Sequence, residues 1–394
     1  MLVCRVPQLR PSSSLLGLVL LGCASVAPNP DEVRADLLPE VALNAAEQAA
    51  CVELEQTAVD AVVRRRYGEA RDAATAALAR NPRAARARAV LGMVLLQEAS
   101  QVEPVEWVKL RRGECEMRLA TQLKPDDAFV GWLHAVFLAE TGHMSAAALA
   151  AEQALERTAD APASERAALL GIAGTYRYEL GEERAALPHL ETYVLLRPDD
   201  ATAHFRLGSS LLRIAQVPDG VSNQQARLQA EGAVRAFARC AELAPGDCDA
   251  ALAIATAQLR AAELAKADSE VDRAETLRNQ AIQHLGDVAT RFEQSPEPYF
   301  RLGVLAAEEG DEAAARSFYS ESLARDPSHI PSLLNMARLL SNEEPATAVE
   351  LVQRALAVAP ASAETVGLQA SGLSAAERKA LEGWLQSLLT AEIQ

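Results

Sequence analysis

The chain has 394 residues, of which 49% are hydrophobic and only 4% aromatic, so its apolar residues are mostly alanine and leucine. These residues favour helices over strands, and we expect an all-α protein. Acidic residues outnumber basic ones by 54 to 38, which gives a formal net charge of -16. Because binding to a phosphate backbone depends on clustered lysine and arginine, this balance disfavours a nucleic-acid partner.

The N-terminus has the layout of a secretory signal peptide. Arg5 and Arg10 precede the apolar stretch 15–21, which is too short to span a bilayer. The sequence LLGC that ends at Cys23 resembles the bacterial lipobox, in which the cysteine thiol receives a diacylglyceryl group and becomes the mature N-terminus. The resemblance implies that residues 1–22 are removed and that Cys23 carries the lipid. An ordinary signal peptide with an incidental cysteine is the alternative.

The residue after the lipobox cysteine indicates to which membrane a bacterial lipoprotein is sorted. In enterobacterial lipoproteins an aspartate directly after the lipidated cysteine marks inner-membrane retention, and this chain has Ala24 there. The resemblance therefore implies the periplasmic face of the outer membrane, while inner-membrane placement stays open for other bacteria. Residues 23–50 contain three prolines among alanine, aspartate and glutamate, so we expect a flexible tether between the lipid and the folded body.

Four further cysteines would remain in the mature chain. Cys240 and Cys248 are eight residues apart across a predicted helix–turn–helix, and an exported compartment permits a disulfide between them. Two separate thiols are the alternative, and pairing of Cys51 with Cys115 also stays open. The sequence has no Cys-x-x-Cys spacing and no histidine cluster, so we expect no metal site and no cofactor.

Two similar phrases, HFRLG at 204–208 and YFRLG at 299–303, indicate internal repetition. After the second phrase, Leu302 and Gly303 begin one apolar helical face, a Gly-Asp pair interrupts the pattern, and a second face runs to Pro327. This pattern predicts two short antiparallel helices. Each helix would leave an apolar stripe that only a neighbouring unit can bury.

The unit resembles the tetratricopeptide repeat (TPR). That repeat has a Leu-Gly pair, an alanine 12 residues later, a small residue 7 further on and a proline after 5 more, which Gly303, Ala315, Ser322 and Pro327 match. The resemblance implies a right-handed superhelical solenoid of helix–turn–helix repeats. We predict about eight units between residues 51 and 362, at 51–84, 85–127, 128–161, 167–200, 201–247, 248–295, 296–329 and 330–362.

A last helix is predicted over residues 373–393. The sequence SAAE at 374–377 forms a capping box, in which serine and glutamate satisfy the first backbone amides of a helix. The apolar side chains that we expect on one side of this helix are Leu381, Trp384, Leu385, Leu388 and Leu389. Because the end of a repeat array needs a cap, we interpret it as a capping helix, with an amphipathic helix for a membrane or a partner as the alternative.

The sequence has no catalytic signature in a usable context, so we expect neither enzymatic activity nor a small-molecule substrate. In TPR proteins the first helix of each unit lines a groove for a partner, and aromatic and arginine side chains are favoured in such contacts. The resemblance implies these groove residues: Phe129, Trp132, Tyr178, Phe205, Arg206, Phe300, Arg301 and Arg338. The alternative is that the phenylalanines fill the seams between units while the arginines pair with acidic side chains.

Together these features predict a lipid-anchored TPR adaptor on the periplasmic face of the bacterial outer membrane. Its partners would be proteins that assemble or remodel the envelope, such as secretin and pilus, outer-membrane protein or peptidoglycan machinery. The alternative function is binding or organising the export of an envelope polysaccharide. A row of exposed aromatic rings along the groove would favour the glycan, whereas arginine and aliphatic side chains would favour a peptide.

The lipid anchor is tested by changing Cys23 to serine in the full chain. We expect Cys23→Ser to abolish labelling with radioactive palmitate and to leave an uncleaved or soluble protein, because the thiol is the acyl acceptor. Cys4→Ser, in the segment that would be removed, is the control and should label like the wild type. Labelled Cys23→Ser protein that sediments with membranes would contradict the anchor.

Overall fold

The computed structural model of the chain describes residues 29–102, 104–216, 222–358 and 374–391. Within these ranges it contains two short 3-10 helices, 17 α-helices and no β-strand, which confirms the all-α prediction. None of the helices in these ranges combines the length and the hydropathy that a membrane crossing requires. The predicted signal peptide and Cys23 lie outside the described residues.

The described residues form two compact units that divide within the ninth helix, after Ser210. The first unit contains 3-10 helices at Pro30–Glu32 and Ala35–Leu37, then α1 (Ala45–Val63), α2 (Tyr67–Arg80), α3 (Ala85–Ser100), α4 (Trp107–Leu123), α5 (Ala128–Glu140), α6 (Met144–Arg157), α7 (Ala163–Glu179), α8 (Glu183–Leu196) and the start of α9 (Ala201–Gln216). The second contains α10 (Asn223–Leu243), α11 (Cys248–Ala267), α12 (Val271–Arg291), α13 (Glu297–Glu308), α14 (Glu312–Arg325), α15 (Ile330–Leu340), α16 (Pro345–Val358) and α17 (Ala375–Ala391).

Most of the helices pack in consecutive pairs, as a chain of helical hairpins does. In the first unit α1 packs with α2, α3 with α4, α5 with α6 and α7 with α8; in the second, α11 packs with α12, α13 with α14 and α15 with α16. The first helices of neighbouring hairpins also touch, α1 to α3 to α5 to α7 in the first unit and α13 to α15 in the second. In each unit taken by itself, we call the surface of these helices the first-helix face of that unit.

Small side chains lie where the two helices of a hairpin come closest. A Cβ atom added to Gly303 on α13 would lie 2.6 Å from Cε1 of Tyr319 on α14, and one added to Gly174 on α7 would lie 2.9 Å from Cγ of Leu190 on α8. Ala315, at the next small position of the spacing, is fully buried. The predicted repeat spacing thus marks the residues that allow the two helices to approach.

One repeat reverses this arrangement of large and small side chains. Tyr193 on α8 occupies the position that the small Ser322 holds in the repeat of Gly303, and its ring lies against Gly171 on α7, where an added Cβ would be 2.8 Å from Cε2 of the ring. The Tyr193 hydroxyl donates to Oδ2 of Asp200 at 2.9 Å. Burial, together with this hydrogen bond, raises the pKa of Tyr193 to about 12. Because Gly171 on α7 has no side chain, the Tyr193 ring on α8 fits between the two helices.

The stretch before α1 lies on the surface of α4. The backbone amide of Ala35 donates to Oε1 of Gln122 at 2.9 Å, and Nε2 of Gln122 donates to the carbonyl oxygen of Val33 at 3.2 Å. Asp31 forms an ion pair with Arg118 on the same helix. These contacts attach the N-terminal stretch to α4, the second helix of the α3–α4 hairpin.

This docked stretch differs from the flexible tether predicted for residues 23–50. Pro30 and Ala35 are buried, and α1 begins at Ala45, where Asn44 provides a capping box. Proline suits a 3-10 turn as well as an extended linker, and composition alone does not separate the two. Of the predicted tether, the part from residue 29 onward is therefore in contact with the folded unit or already helical.

The last helix, α17, packs against α16. Its capping box is formed as predicted: the amide of Glu377 donates to Oγ of Ser374 at 3.2 Å, and the amide of Ser374 donates to Oε2 of Glu377 at 2.8 Å. Leu388 is buried, but Leu389 is 38% exposed and does not share the packed side. Successive residues of a helix point about 100° apart, so the two leucines face different surroundings.

The close approach of α13 and α14 is tested by Gly303→Leu. We expect the free energy of unfolding to fall by roughly 1–3 kcal/mol, as for overpacking, because the new side chain must displace the Tyr319 ring. Gly286→Leu on α12 is the matched control, since an added Cβ there meets no atom within 4 Å. Urea denaturation followed by circular dichroism measures both variants, and equal losses in the two would contradict the packing described.

Candidate partner-binding face

The aromatic residues predicted for the groove are half-buried in the first unit. Phe129 and Trp132 lie on α5 with their ring centroids 5.8 Å apart, and both pack against the core formed by α1 to α5. Tyr178 lies near the C-terminal end of α7 and is also half-buried. The structure therefore brings Phe129 and Trp132 together but gives none of these three rings full exposure to solvent.

An ion-pair network crosses the first-helix face beside Phe129. Arg86 on α3 donates from Nε to Oδ2 of Asp127 at 2.7 Å, and its Nη2 lies 3.6 Å from Oε1 of Glu165 on α7. The guanidinium carbon lies 5.8 Å from the Phe129 ring centroid. Asp127 also caps α5 by accepting from the amides of Phe129 and Val130. Arg86 thereby links α3, α5 and α7.

Two carboxylates on this face are held in unfavourable surroundings. Glu55 on α1 accepts a weak hydrogen bond from the amide of Ala87, 3.4 Å away, and burial raises the pKa of its carboxyl group. Burial likewise raises the pKa of Glu140 on α5. The charge of Arg86 near Glu55, and that of Arg65 near Glu140, offset part of this increase in pKa. A cation from outside the chain would stabilise both charges.

In the second unit, Phe300 and Arg301 on α13 contact neighbouring helices. The Phe300 ring is 5.3 Å from the His329 ring in an edge-to-face arrangement. Arg301 donates from Nε to Oε1 of Glu297 at 2.9 Å and from Nη1 to the hydroxyl of Thr256 on α11. For these two residues the structure has the alternative arrangement, in which the phenylalanine fills a seam and the arginine pairs with an acid.

Glu297 and His329 continue this network from α13 to α15. Nε2 of His329 lies 3.3 Å from Oε2 of Glu297, and Nδ1 forms a 2.8 Å hydrogen bond with Oγ of Ser332. The hydrogen bond from His329, with Arg301 as the second partner, lowers the pKa of Glu297. Carboxylate, imidazole and hydroxyl in series is the composition of a hydrolytic triad. Ser332 is fully buried and its hydroxyl donates to Ser322 at 2.8 Å, so the group joins helices and presents no nucleophile.

The other three groove residues differ in exposure. Phe205 and Arg206 are half-buried on α9. Arg338 on α15 is exposed, with Nη1 3.4 Å from Oδ1 of Asn335 on the same helix. Of the eight residues predicted for the groove, Arg338 alone has an exposed side chain.

Of the two arrangements left open for Cys240 and Cys248, the structure has two separate thiols. Cys240 is buried on α10, whereas Cys248 begins α11 and its thiol contacts the hydroxyl of Ser295 at 3.7 Å. The turn between α10 and α11 thus directs Cys248 toward α12 and α13. No group of three or more histidine, cysteine or acidic side chains within the described ranges is placed to hold a metal ion.

The sequence interpretation missed Arg86, Asp127 and Glu297. Arg86, Phe129 and Glu297 each lie six residues before the small residue that opens the spacing of their repeat. When the repeats are aligned on that small residue, Arg86, Phe129 and Glu297 therefore share one position, at the start of a first helix. This shared position in the repeat, rather than residue type alone, could have indicated from the sequence which side chains contact a neighbouring repeat.

A family model described as tetratricopeptide repeat matches residues 56–102, 172–218 and 274–330. The chain carries tetratricopeptide repeats. The matched segments lie in both compact units and include first helices of the candidate face. Tetratricopeptide repeats are a protein-binding scaffold, so the first-helix face is the candidate partner-binding face.

The chain also resembles solved structures of this repeat. A structure of PilF from Pseudomonas aeruginosa is 17% identical over 60% of this chain and 91% of its own, with a TM-score of 0.41. YrrB, described as a TPR protein with an unusual peptide-binding site, is 16% identical over 55% and 95%, also with 0.41. The C-terminal part of a TPR protein from Cytophaga hutchinsonii is 16% identical over 71% and 98%, with 0.45. The comparison with curated proteins finds no match.

The Glu297 network is tested by Glu297→Gln. The folded-state pKa of Glu297 lies below its ordinary value of 4.5, so its charge stabilises the fold at neutral pH and that contribution is lost as the pH falls below about 4.5. We expect the variant to be less stable by about 1–3 kcal/mol at pH 7, as for a lost hydrogen bond to a charged group. The difference from wild type should shrink toward pH 3.

Melting temperatures between pH 3 and pH 7 measure this effect. Glu312→Gln, which removes the same charge from an exposed position of α14, is the control and should follow the wild-type profile. A Glu297→Gln protein with a constant deficit across this pH range would contradict the electrostatic role of Glu297.

Proposed function

We propose that the chain is a non-enzymatic, lipid-anchored adaptor of the bacterial cell envelope. In this proposal Cys23 holds it at the periplasmic face of the outer membrane, and the first-helix face binds proteins that assemble or remodel the envelope. The observation that carries the proposal is the tetratricopeptide repeat array, a protein-binding scaffold. The N-terminal sequence that resembles a lipoprotein leader supports the envelope location.

The packing of the aromatic side chains supports a protein ligand over a polysaccharide. Sugar rings stack on exposed aromatic faces, but Phe129, Trp132 and Phe300 pack against the hydrophobic cores of their units. The exposed Arg338 instead offers a charged donor, which suits carbonyl and carboxylate groups of a peptide.

The charge of the face supports a ligand segment that contains lysine or arginine. Glu55 and Glu140 are carboxylates whose charged forms are destabilised by burial. An incoming cation would stabilise both, and the net charge of -16 favours the approach of a basic segment. We therefore propose that the bound segment is basic at the first unit.

The proposed face is tested by site-specific photo-crosslinking in intact cells. A photoreactive amino acid is placed at Arg338 on α15 or at Arg354 on α16, which belong to the same hairpin and are both exposed. We expect Arg338 to form a discrete protein adduct that is absent at Arg354, because only α15 belongs to the first-helix face. Protease treatment of the adduct distinguishes a protein from a glycan.

The variant Arg338→Glu should abolish binding of the partner that the crosslink identifies. Arg354→Glu, which has the same change of charge, is the control. Arg338→Glu should melt like the wild type, because surface substitutions usually change stability by less than about 0.5 kcal/mol. Arg354→Glu also removes a 2.8 Å hydrogen bond to the carbonyl oxygen of Pro327, so its binding is compared at a temperature at which both variants are folded. Equal adducts at the two positions would contradict the assignment of the face. A protease-resistant, glycosidase-sensitive adduct at Arg338 would instead support the polysaccharide function.

A further inference from the structure

A small apolar patch is exposed where the chain turns from α3 into α4. Trp107, the first residue of α4, is 62% exposed, while Val102 and Val108 are 49% and 44% exposed. Single exposed apolar residues are ordinary in soluble proteins, but these three lie within seven residues of sequence. Tryptophan has an apolar ring with a polar N–H group, which suits the boundary between lipid and water. We call these three residues the α4 patch.

The charges around the patch are balanced. Lys109 lies 3.0 Å from Glu106 and 3.7 Å from Glu98, and Arg111 pairs with Glu114 at 3.2 Å. The net negative charge of the chain is therefore not concentrated here. A bilayer with some anionic lipid would not be repelled from this part of the surface.

The docked N-terminal stretch has a defined direction along α4. Asp31 contacts Arg118, and the later residues Val33 and Ala35 contact Gln122. The stretch therefore runs in the same direction as α4. The earlier residues of the stretch therefore lie nearer the beginning of α4, where the patch is, than its later residues do.

The chain length between these contacts and Cys23 is sufficient to reach the patch. Eight peptide units separate Asp31 from Cys23, and at about 3.5 Å each they span at most about 28 Å. Arg118 and Trp107 are eleven residues apart on one helix, which corresponds to about 16 Å. A lipid on Cys23 would thus hold the bilayer within reach of Trp107.

We infer that the α4 patch rests on the membrane surface, with the Trp107 ring at the lipid–water interface. The inference rests on the proposed lipid on Cys23 and adds an orientation to it. The N-terminal end of α4 would face the bilayer. A single lipidated residue would leave the protein free to rotate, whereas the patch supplies a second point of contact.

The inference is tested on the full chain, produced with its leader in a Gram-negative host. Mass spectrometry first determines whether Cys23 carries lipid. The purified protein is then reconstituted into vesicles of phosphatidylethanolamine and phosphatidylglycerol, with or without acyl-brominated lipid, which quenches nearby tryptophan. We expect the brominated lipid to quench the emission, and Trp107→Phe to lose most of that quenching. Trp384→Phe, on α17, is the matched control and should retain it.

Each outcome has one meaning. Quenching that depends on Trp107 supports the inference. Lipidated protein whose quenching is absent, or is unchanged in Trp107→Phe, overturns the inference and leaves the anchor in place. Protein without lipid on Cys23 overturns the proposed anchor and the orientation with it.

Discussion

The close approach of the two helices within each hairpin is the constraint on which the rest of this structure depends. Where Gly92 on α3 meets Gly113 on α4, a Cβ atom added to either glycine would lie 2.9 Å from the carbonyl oxygen of the other. Helices this close leave little room for bulky side chains, which explains a core made largely of alanine and a chain with few aromatic residues. The larger and charged side chains are consequently available for contacts between one hairpin and the next.

Those contacts between hairpins are partly electrostatic. Arg86 connects three first helices in the first unit, and Arg301, Glu297 and His329 connect α11, α13 and α15 in the second. In a repeat array the contacts between repeats determine how far folding is cooperative along the array, and the contact of Arg86 with Glu165 reaches past the adjacent hairpin. Half-buried ion pairs also demand a specific geometry, since either partner left alone would be costly. The two networks therefore fix how neighbouring first helices are positioned, in addition to the apolar packing beneath them.

The repeat spacing predicted the fold because it reports which residues are small and buried, and those residues determine helix packing. It did not predict the partners of individual side chains. Arg301 was expected in the groove but also donates to the hydroxyl of Thr256 on α11, since periodicity identifies the face of a helix without identifying the neighbour that it meets. A flexible tether was expected for residues 23–50, but a proline-rich composition suits 3-10 turns as well as linkers. The contacts of this segment with Gln122 are specific to the fold and leave no trace in local sequence.

The docking of the N-terminal stretch has a mechanical consequence. Because this stretch runs along α4 in the same direction, a force applied to residue 29 toward the beginning of α4 acts along the helix axis. The ion pair of Asp31 and the hydrogen bonds of Gln122 are then loaded together in shear, and do not open one after another as in peeling. The load enters the fold through the second hairpin, so α1 and α2 lie outside the direct path of the force. The order of elements along the chain thus differs from the order in which they would bear tension.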